Sequence, residues 1–253
     1  MNKKNNNKDK LIIIGGLPIM WLIYFSFEII TGRVKDAYTF FLNLLLTLVF
    51  ALTGYLIYKL SNKFINGFKN ILLIFFLLLL IDQGIKLIIK NYFFNDYFEI
   101  IKGFLSFDPI INTKGSWLNA RFNFEVGFTP LIILNGIALF LFVELYRYYL
   151  SKNNKNYWAD NAFIFITAGA LCSFIDKIFY GGSLDFIGIS DLFIADIKDI
   201  YINAGILFFI VLMYKSGYFS DNSSTSLKED WNMIKEFLIF IKKDILKKIK
   251  RKV

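Results

Sequence analysis

Five aspartates lie between residues 176 and 199, on either side of the short segment that joins two strongly apolar stretches; they are Asp176, Asp185, Asp191, Asp196 and Asp199. An ionisable side chain near the hydrocarbon core of a membrane is costly and is therefore interpreted as functional. The chain has no histidine and a single cysteine, which disfavours zinc sites and nucleophilic triads. The remaining chemistry is that of paired carboxylates, one acting as acid and the other as base.

The composition predicts that apolar helices position these carboxylates. The 253 residues are 56% hydrophobic, include 30 phenylalanines and have a mean hydropathy of +0.52, values typical of a protein that spans a membrane several times. A spanning helix needs roughly 20 mostly apolar residues. Six stretches meet this requirement, at about 11–30, 38–59, 71–91, 130–150, 159–180 and 199–216. The first does not resemble a cleavable signal peptide, because no small-residue cleavage site follows it.

The distribution of lysine and arginine predicts the orientation. Basic residues concentrate before the first span, after the second, after the fourth and after the sixth, whereas segments 31–37, 92–129 and 181–198 carry few. By the positive-inside rule both termini are cytoplasmic and the aspartates lie at the outer interface. This topology accounts for much of the net charge of +9, so no nucleic-acid partner is predicted.

The regions flanking the last four spans are predicted to have simpler roles. Residues 1–66 form a two-helix membrane hairpin in which Glu28, near a helix end, is expected to snorkel. Residues 92–129 are expected to form a small β-rich or irregular element. Residues 218–253 form a cytoplasmic polar linker and a basic amphipathic helix, which lies on the anionic inner leaflet or is a solvated tail that helps to fix the topology.

Several short motifs occur in a fixed order along the last four spans. They are Asp82-Gln83-Gly84-Ile85-Lys86; Asn112; Gly169 to Lys177, with Asp185 nine residues after Asp176; and Ala195-Asp196-Ile197-Lys198-Asp199, with Gly205 six residues further on. In this order they resemble the conserved boxes of lipoprotein signal peptidase (signal peptidase II), the third ending in Asn-x-x-Asp-Arg and the last reading Phe-Asn-x-Ala-Asp. The resemblance covers about residues 71–217.

The resemblance implies an all-α integral membrane protein of six transmembrane helices, in which residues 67–217 contain a four-helix peptidase bundle beside a small extracytoplasmic β-rich element. It implies an intramembrane aspartyl endopeptidase with Asp185 and Asp199 as its catalytic pair, needing no metal or cofactor. The expected substrates are diacylglyceryl-modified prolipoproteins of a bacterial cell membrane. Their signal helices would enter the bundle sideways from the surrounding membrane lipids and be cleaved just before the lipid-modified cysteine.

Six further polar residues are expected to bind substrate or support the pair: Asp82, Lys86, Asn112, Asp176, Lys177 and Asp196. Asp82 and Lys86 lie four residues apart on one helix face and are expected to neutralise each other. Asp176 and Lys177 are expected to form a second charge pair. The Asn112 amide suits the fixing of a substrate carbonyl or of an aspartate. The alternative role for these residues is to hold the bundle together through polar contacts.

The identity of the second catalytic aspartate depends on the alignment of the last box. Asp196 also follows an alanine, but Gly205 lies six residues after Asp199, as in the family, and nine after Asp196. This spacing favours Asp199 and places Asp196 where the family has asparagine. Taken singly, Asp199 is also a normal first-turn acid of a helix and Asp185 a normal turn residue.

The chain departs from the family pattern in several places, which leaves altered substrate preference or lost activity open. Ser173 replaces asparagine, Lys177 replaces arginine, the Asn112 box is unusual and two N-terminal spans are added. A transporter or channel would also place carboxylates in a bundle, but neither broken helices nor internal symmetry is evident. A non-catalytic paralogue that binds lipoproteins is a second alternative. Nothing in the sequence indicates an oligomeric state.

Overall fold

The computed structural model contains six helices long and apolar enough to cross a membrane. It describes residues 3–61, 67–114, 117–122, 127–152, 154–219 and 227–250. The candidate spans are Asn7–Ile30, Ala37–Ser61, Lys69–Phe93, Thr129–Ser151, Tyr157–Phe179 and Ile197–Lys215, which confirms the six predicted ones. Residues 220–226, which belong to the expected linker, lie outside the described residues. So do Gly115 and Ser116.

The described residues form eight α-helices. They are α1 (Lys3–Ile30), α2 (Ala37–Ser61), α3 (Phe68–Ile88), α4 (Trp117–Phe122), α5 (Phe128–Ser151), α6 (Tyr157–Phe179), α7 (Ile197–Lys215) and α8 (Leu227–Lys250). A π-helical turn, Ile89–Phe93, continues α3. Side-chain caps start α6 and α7: Asn156 accepts a hydrogen bond from the Trp158 amide, and Asp196 accepts one from the Asp199 amide.

The α6–α7 pair forms the centre of the bundle because small residues allow its backbones to approach. A Cβ atom on Gly205 would lie 2.9 Å from the backbone nitrogen of Ile166, and one on Gly169 would lie 3.1 Å from the carbonyl oxygen of Lys198. Close approach through small residues is the usual means by which helices associate in lipid, where apolar burial provides no drive between them. An apolar cluster of α1, α6 and α7 continues the contact, with Ile13, Trp158, Ala162, Leu207, Phe208 and Val211.

A four-stranded antiparallel sheet covers one end of the bundle. Its strands are β1 (Phe98–Ile101), β2 (Leu105–Asn112), β3 (Ser183–Ile189) and β4 (Phe193–Ala195), in the order β1-β2-β3-β4. The β-rich element expected in residues 92–129 is confirmed by β1 and β2. The short segment between α6 and α7, for which no strand was predicted, also forms two strands, because β2 offers β3 a free edge that sequence periodicity does not reveal.

The N-terminal hairpin contacts the turn between β3 and β4. The Arg33 guanidinium donates to the carbonyl oxygen of Asp191 at 2.5 Å, and Asn43 Nδ2 donates to Ser190 Oγ at 3.2 Å. Ser190 itself has a φ of +48°, in the left-handed region that non-glycine residues adopt at a cost. The added hairpin therefore fastens a strained turn of the sheet to the membrane domain.

The expectation that Glu28 snorkels is wrong. Its side chain is fully buried, with Oε2 3.6 Å from Arg121 Nη2 and 3.9 Å from Arg33 Nη1. Arg121 belongs to α4 and also donates to Thr31 Oγ1 at 2.6 Å. A buried carboxylate is stabilised by such cations, so Glu28 joins the hairpin to the outer segment instead of reaching for water.

The C-terminal helix α8 lies against the end of α5. The Arg147 guanidinium donates to both carboxylate oxygens of Asp244, at 2.5 and 2.6 Å. The rings of Phe237 and Phe240 lie 5.7 and 5.4 Å from that of Tyr148. Further apolar side chains of α8 stay exposed, including Trp231, Ile234 and Leu238, as an amphipathic helix requires.

Replacing Gly54 by alanine is expected to weaken the packing of α1 against α2. A Cβ there would lie 2.8 Å from the carbonyl oxygens of Ile13 and Ile14, so a backbone must move. The midpoint of thermal unfolding in detergent should fall. Gly84→Ala is the matched control, since its Cβ would meet nothing within 4 Å and alanine stabilises a helix by about 1 kcal/mol relative to glycine. Equal midpoints for both variants would contradict the packing.

Candidate active site

Three of the five aspartates converge where the sheet meets the start of α7. Carboxylate oxygens of Asp185, Asp196 and Asp199 all lie within 4.8 Å of one another. The structure thus brings together the predicted pair and the alternative candidate. Asp176 lies just behind them, within hydrogen-bonding distance of Ser183, whereas Asp191 lies in the β3–β4 turn and lines a separate surface cavity.

The pairing of β2 with β3 positions Asp185. In the sheet register Asp185 lies opposite Ile110, and Asn112 lies opposite Ser183. As a result Asn112 Nδ2 donates to Asp185 Oδ2 at 2.9 Å and Ser183 Oγ donates to Asp185 Oδ1 at 2.6 Å. The expected contact of the Asn112 amide with an aspartate is therefore present, and both oxygens of Asp185 are held by neutral donors.

The first turn of α7 positions the other two carboxylates through a capping box. Asp196 Oδ1 accepts from the Asp199 amide at 3.2 Å, and Asp199 Oδ2 accepts from the Asp196 amide at 3.2 Å. Their surroundings differ: the Asp196 side chain is 0% exposed, that of Asp185 is 4% exposed and that of Asp199 is 43% exposed. Asp199 is thus the member of the trio that faces outward, and its Oδ1 takes no part in the cap.

The Lys86 ammonium links three elements at the base of the trio. Its Nζ lies 3.0 Å from Asp82, 2.6 Å from Asp176 and 2.5 Å from Asp196, and all four side chains are fully buried. Gln83 Nε2 donates to both Asp82 and Asp176 at 3.0 Å. The expected pairing of Asp82 with Lys86 is present, and these residues form a supporting layer beneath the trio.

Lys177 does not pair with Asp176 as expected. Its ammonium donates to Ser173 Oγ at 2.5 Å, one helical turn back, while Asp176 is taken by Lys86. Adjacent residues of a helix point about 100° apart, which separates their side chains. Lys177 therefore borders the site through a hydroxyl and not through an ion pair.

Sequence analysis missed two residues that lie at the centre of the site. Ser183 Oγ and Lys198 Nζ are 2.6 Å apart, and Lys198 Nζ lies 2.6 Å from Asp196 Oδ2. Lys198 lies inside the last of the motifs, between its two aspartates. A lysine in that position is a signal from which the sequence could have identified it. Ser183 carried no signal, because only the register of β3 against β2 turns its hydroxyl inward.

Burial and neighbouring charges make the carboxylates unlike one another. Burial raises the pKa of Asp185 above its usual range, against the lowering effect of the nearby Lys198 ammonium. Burial acts in the same sense on Asp196, but Lys198 and Lys86 prevail and hold the pKa of Asp196 below its usual range. Relative to a free aspartate, Asp196 is therefore biased toward its ionised form and Asp185 toward its protonated form.

The trio has the spacing of a group that could hold a divalent cation, since each aspartate offers one oxygen within 4.8 Å of the others. The Lys198 ammonium, however, lies 2.6, 3.6 and 3.7 Å from Asp196, Asp185 and Asp199. A cation placed among these oxygens would meet that positive charge. The donor set thus fits proton chemistry better than metal binding.

Replacing Lys86 by methionine is expected to lower the free energy of unfolding by about 3–5 kcal/mol, because buried Asp82 then loses its described ion pair, and Asp176 and Asp196 each lose one of their two described cations. Guanidine or thermal unfolding in detergent would measure the loss. Lys90→Met is the matched control, because Lys90 lies one turn further on, is exposed and stacks on the Tyr180 ring. A loss no greater than that of the control would show that Lys86 does not stabilise the bundle.

Comparison with known proteins places residues 74–215 in one family model, signal peptidase (SPase) II. A lipoprotein signal peptidase of Lactobacillus gasseri is 30% identical over 149 residues, which cover 57% of this chain and 92% of the relative. A lipoprotein signal peptidase of Staphylococcus haemolyticus is 27% identical over 143 residues, covering 54% of this chain and 86% of the relative.

Two solved structures are similar in fold to a large part of this chain. A bacterial membrane enzyme determined by the in meso method at 2.3 Å resolution superposes with a TM-score of 0.52 at 25% identity, covering 64% of this chain and 97% of the other. A second such enzyme, at 1.9 Å resolution, gives a TM-score of 0.50 at 27% identity, with 60% and 96% coverage. Helix α8, α1 and α2 lie outside the matched residues 74–215.

Proposed function

The chain belongs to the signal peptidase II family, and from that premise we propose that it is an intramembrane aspartyl endopeptidase with Asp185 and Asp199 as its catalytic pair. Membership makes it a membrane-embedded protease that removes signal peptides from prolipoproteins. The aspartic mechanism and the assignment of the two catalytic residues go beyond what family membership shows, and they are the part that we propose. The transporter and the non-catalytic paralogue are not favoured by this membership.

The observation that carries the proposal is the difference in exposure and pairing among the three convergent carboxylates. Asp196 is fully buried and bound by two ammonium groups, at 2.5 Å by Lys86 and 2.6 Å by Lys198. A carboxylate saturated in this way is a poor proton acceptor. Asp199 is 43% exposed and lies within 4.8 Å of Asp185, which supports Asp199 as the second member of the pair.

Two carboxylates this close share one proton, because ionising both is costly. Asp185, whose burial favours the protonated form, donates to the carbonyl oxygen of the scissile peptide. The outward-facing Asp199 takes a proton from water, whose oxygen bonds to the carbonyl carbon. The tetrahedral intermediate then expels the amine, breaking the carbon–nitrogen bond: Asp199 gives its proton to the leaving nitrogen, and a hydroxyl of the intermediate returns a proton to Asp185 as the new carboxyl group forms. The donors on Asp185 keep it aligned for this exchange.

The placement of basic residues supports a site at the outer face of the membrane with both termini in the cytoplasm. At that depth water reaches a scissile bond at the end of a transmembrane signal segment, as peptide hydrolysis requires. The substrate class follows from the family: diacylglyceryl-modified prolipoproteins of a bacterial membrane, cleaved before the lipidated cysteine. Their lipid and signal helix enter from the bilayer between the spans, with no cofactor in the reaction.

The chain is proposed to have three functional parts. Residues 67–217 are the peptidase unit, in agreement with the family match over 74–215. Residues 1–66 are an added membrane hairpin that supports the outer sheet through Arg33 and Asn43. Residues 218–253 carry the linker and the basic amphipathic helix α8, suited to an anionic inner leaflet.

Asp185→Asn and Asp199→Asn are each expected to lower cleavage by about 10³-fold or more, because each removes one member of an acid–base pair. The assay is cleavage of a synthetic diacylglyceryl-modified prolipoprotein by the purified full chain in detergent. Asp191→Asn is the matched control, since Asp191 lies on the β3–β4 turn outside the trio, and it should retain activity. Asp196→Asn should retain at least part of the cleavage activity.

Other outcomes would redirect the proposal in different ways. Loss with Asp196→Asn but not with Asp199→Asn would move the pair to Asp185 and Asp196. Failure of the well-folded unsubstituted protein to cleave several lipidated substrates would favour a binding paralogue that retains the bundle without the reaction.

A further inference from the structure

Lys198 is the cation that contacts every member of the trio. Its Nζ donates to Asp196 Oδ2 and to Ser183 Oγ, both at 2.6 Å, and lies 3.6 Å from Asp185 Oδ1 and 3.7 Å from Asp199 Oδ1. The side chain is 7% exposed, so this charge is held in place and poorly screened by water. One ammonium thus sits between both proposed catalytic carboxylates and their anionic neighbour.

The positive charge of Lys198 is paired with the negative charge of Asp196. In the Phe-Asn-x-Ala-Asp box, the residues aligned with Asp196 and Lys198 are a neutral asparagine and a neutral alanine. This chain has one anion and one cation instead, joined at 2.6 Å. The two substitutions leave the net charge beside the pair unchanged. Asp196 and Lys198 therefore form a compensated ion pair added next to the catalytic carboxylates.

We propose that Lys198 is a positioning residue for this reaction: its ammonium offsets the charge of Asp196 and holds Asp185 and Asp199 where they share one proton. The inference rests on the proposed peptidase function and deepens it. Part of the effect passes through Ser183, which accepts a hydrogen bond from Lys198 and donates one to Asp185 at 2.6 Å.

Lys86 cannot take over this role. Among the described residues its ion pairs are with Asp82, Asp176 and Asp196, and none joins it to Asp185 or Asp199. Each element packed against Lys198 contributes charged or polar groups, and these are Asp82 and Lys86 of α3, Asn112 of β2, Asp176 and Lys177 of α6, Asp185 of β3, Asp196 at the cap and Asp199 of α7. Lys177 is bound to Ser173, which leaves Lys198 as the ammonium nearest the pair.

Removing the Lys198 charge should make the catalytic pair harder to ionise. With Asp196 still anionic, the single negative charge of the working pair would form beside an uncompensated carboxylate. The acid limb of the pH profile of kcat/KM should therefore move to higher pH, by about 1–2 on the pH scale. Asp196→Asn should move the same limb to lower pH, because it removes a repelling anion. The two effects oppose each other in the double variant.

The experiment compares Lys198→Met, Lys198→Arg, Asp196→Asn and Asp196→Asn/Lys198→Met in the full chain. The readout is the pH profile of kcat/KM on a synthetic diacylglyceryl-modified prolipoprotein in detergent. Lys198→Met is expected to move the acid limb to higher pH, which lowers the activity on that limb by roughly 10- to 100-fold at a given pH. Lys198→Arg should restore most of the activity, and the double variant should return the limb close to that of the unsubstituted protein.

The control is Lys215→Met, at the other end of α7, where the lysine pairs with Asp9 far from the trio. This variant should leave the profile unchanged. The proposal is rejected if the Lys198→Met profile keeps its acid limb. If Lys198→Met does not fold, the double variant is compared with Asp196→Asn, and coincident acid limbs for these two reject the proposal.

A second readout does not depend on catalysis. Ionised carboxylates repel one another once the ammonium is gone, so the thermal midpoint of Lys198→Met should fall more steeply between pH 5 and pH 8 than that of the unsubstituted protein. Parallel pH dependences would reject the role of Lys198. If the unsubstituted protein cleaves nothing, the proposed peptidase function fails, while this measurement still decides whether Lys198 compensates the trio.

Discussion

The ion pairs of the Lys86 ammonium hold the site together. It binds carboxylates from α3, α6 and the cap of α7, and all of these groups are buried. In a membrane no apolar drive brings helices together, so polar contacts and close packing set their relative positions. A single cation with three anionic partners admits only one depth and rotation for each helix. The small residues Gly169 and Gly205 then allow α6 and α7 to meet at that depth.

The four-stranded sheet brings the candidate site residues together at one end of this helix arrangement. Strand β3 follows α6, and the chain returns through β4 to α7, so Asp185 lies near the start of α7. Pairing with β2 supplies Asn112, and the capping box directs Asp199 outward. The N-terminal hairpin, outside the region shared with the family, holds the strained Ser190 turn of the same sheet. The geometry of the proposed catalytic site thus depends on strands as much as on spans.

Chemically identical side chains acquire different properties here through their surroundings. Asp196, bound by two lysines, is biased toward its ionised form, whereas Asp185 receives hydrogen bonds from neutral groups and is biased toward its protonated form. Asp199 lies at the edge of the site, with 43% of its side chain exposed. Such divergence between neighbouring carboxylates is what acid–base catalysis requires. The Asp196–Lys198 ion pair, at 2.6 Å, places two opposite charges beside the proposed catalytic carboxylates.

The sequence by itself determined the six spans, the family and the aspartates from which a catalytic pair is chosen, because apolar length and motif spacing are local properties of the chain. The membrane fold and the family are confirmed, whereas the roles of Asp185 and Asp199 stay predictions. Tertiary structure decided which groups meet: Lys86 and not Lys177 binds Asp176, Glu28 is buried, and Ser183 and Lys198 join the trio. These contacts depend on strand register and helix rotation, which arise from packing between distant segments.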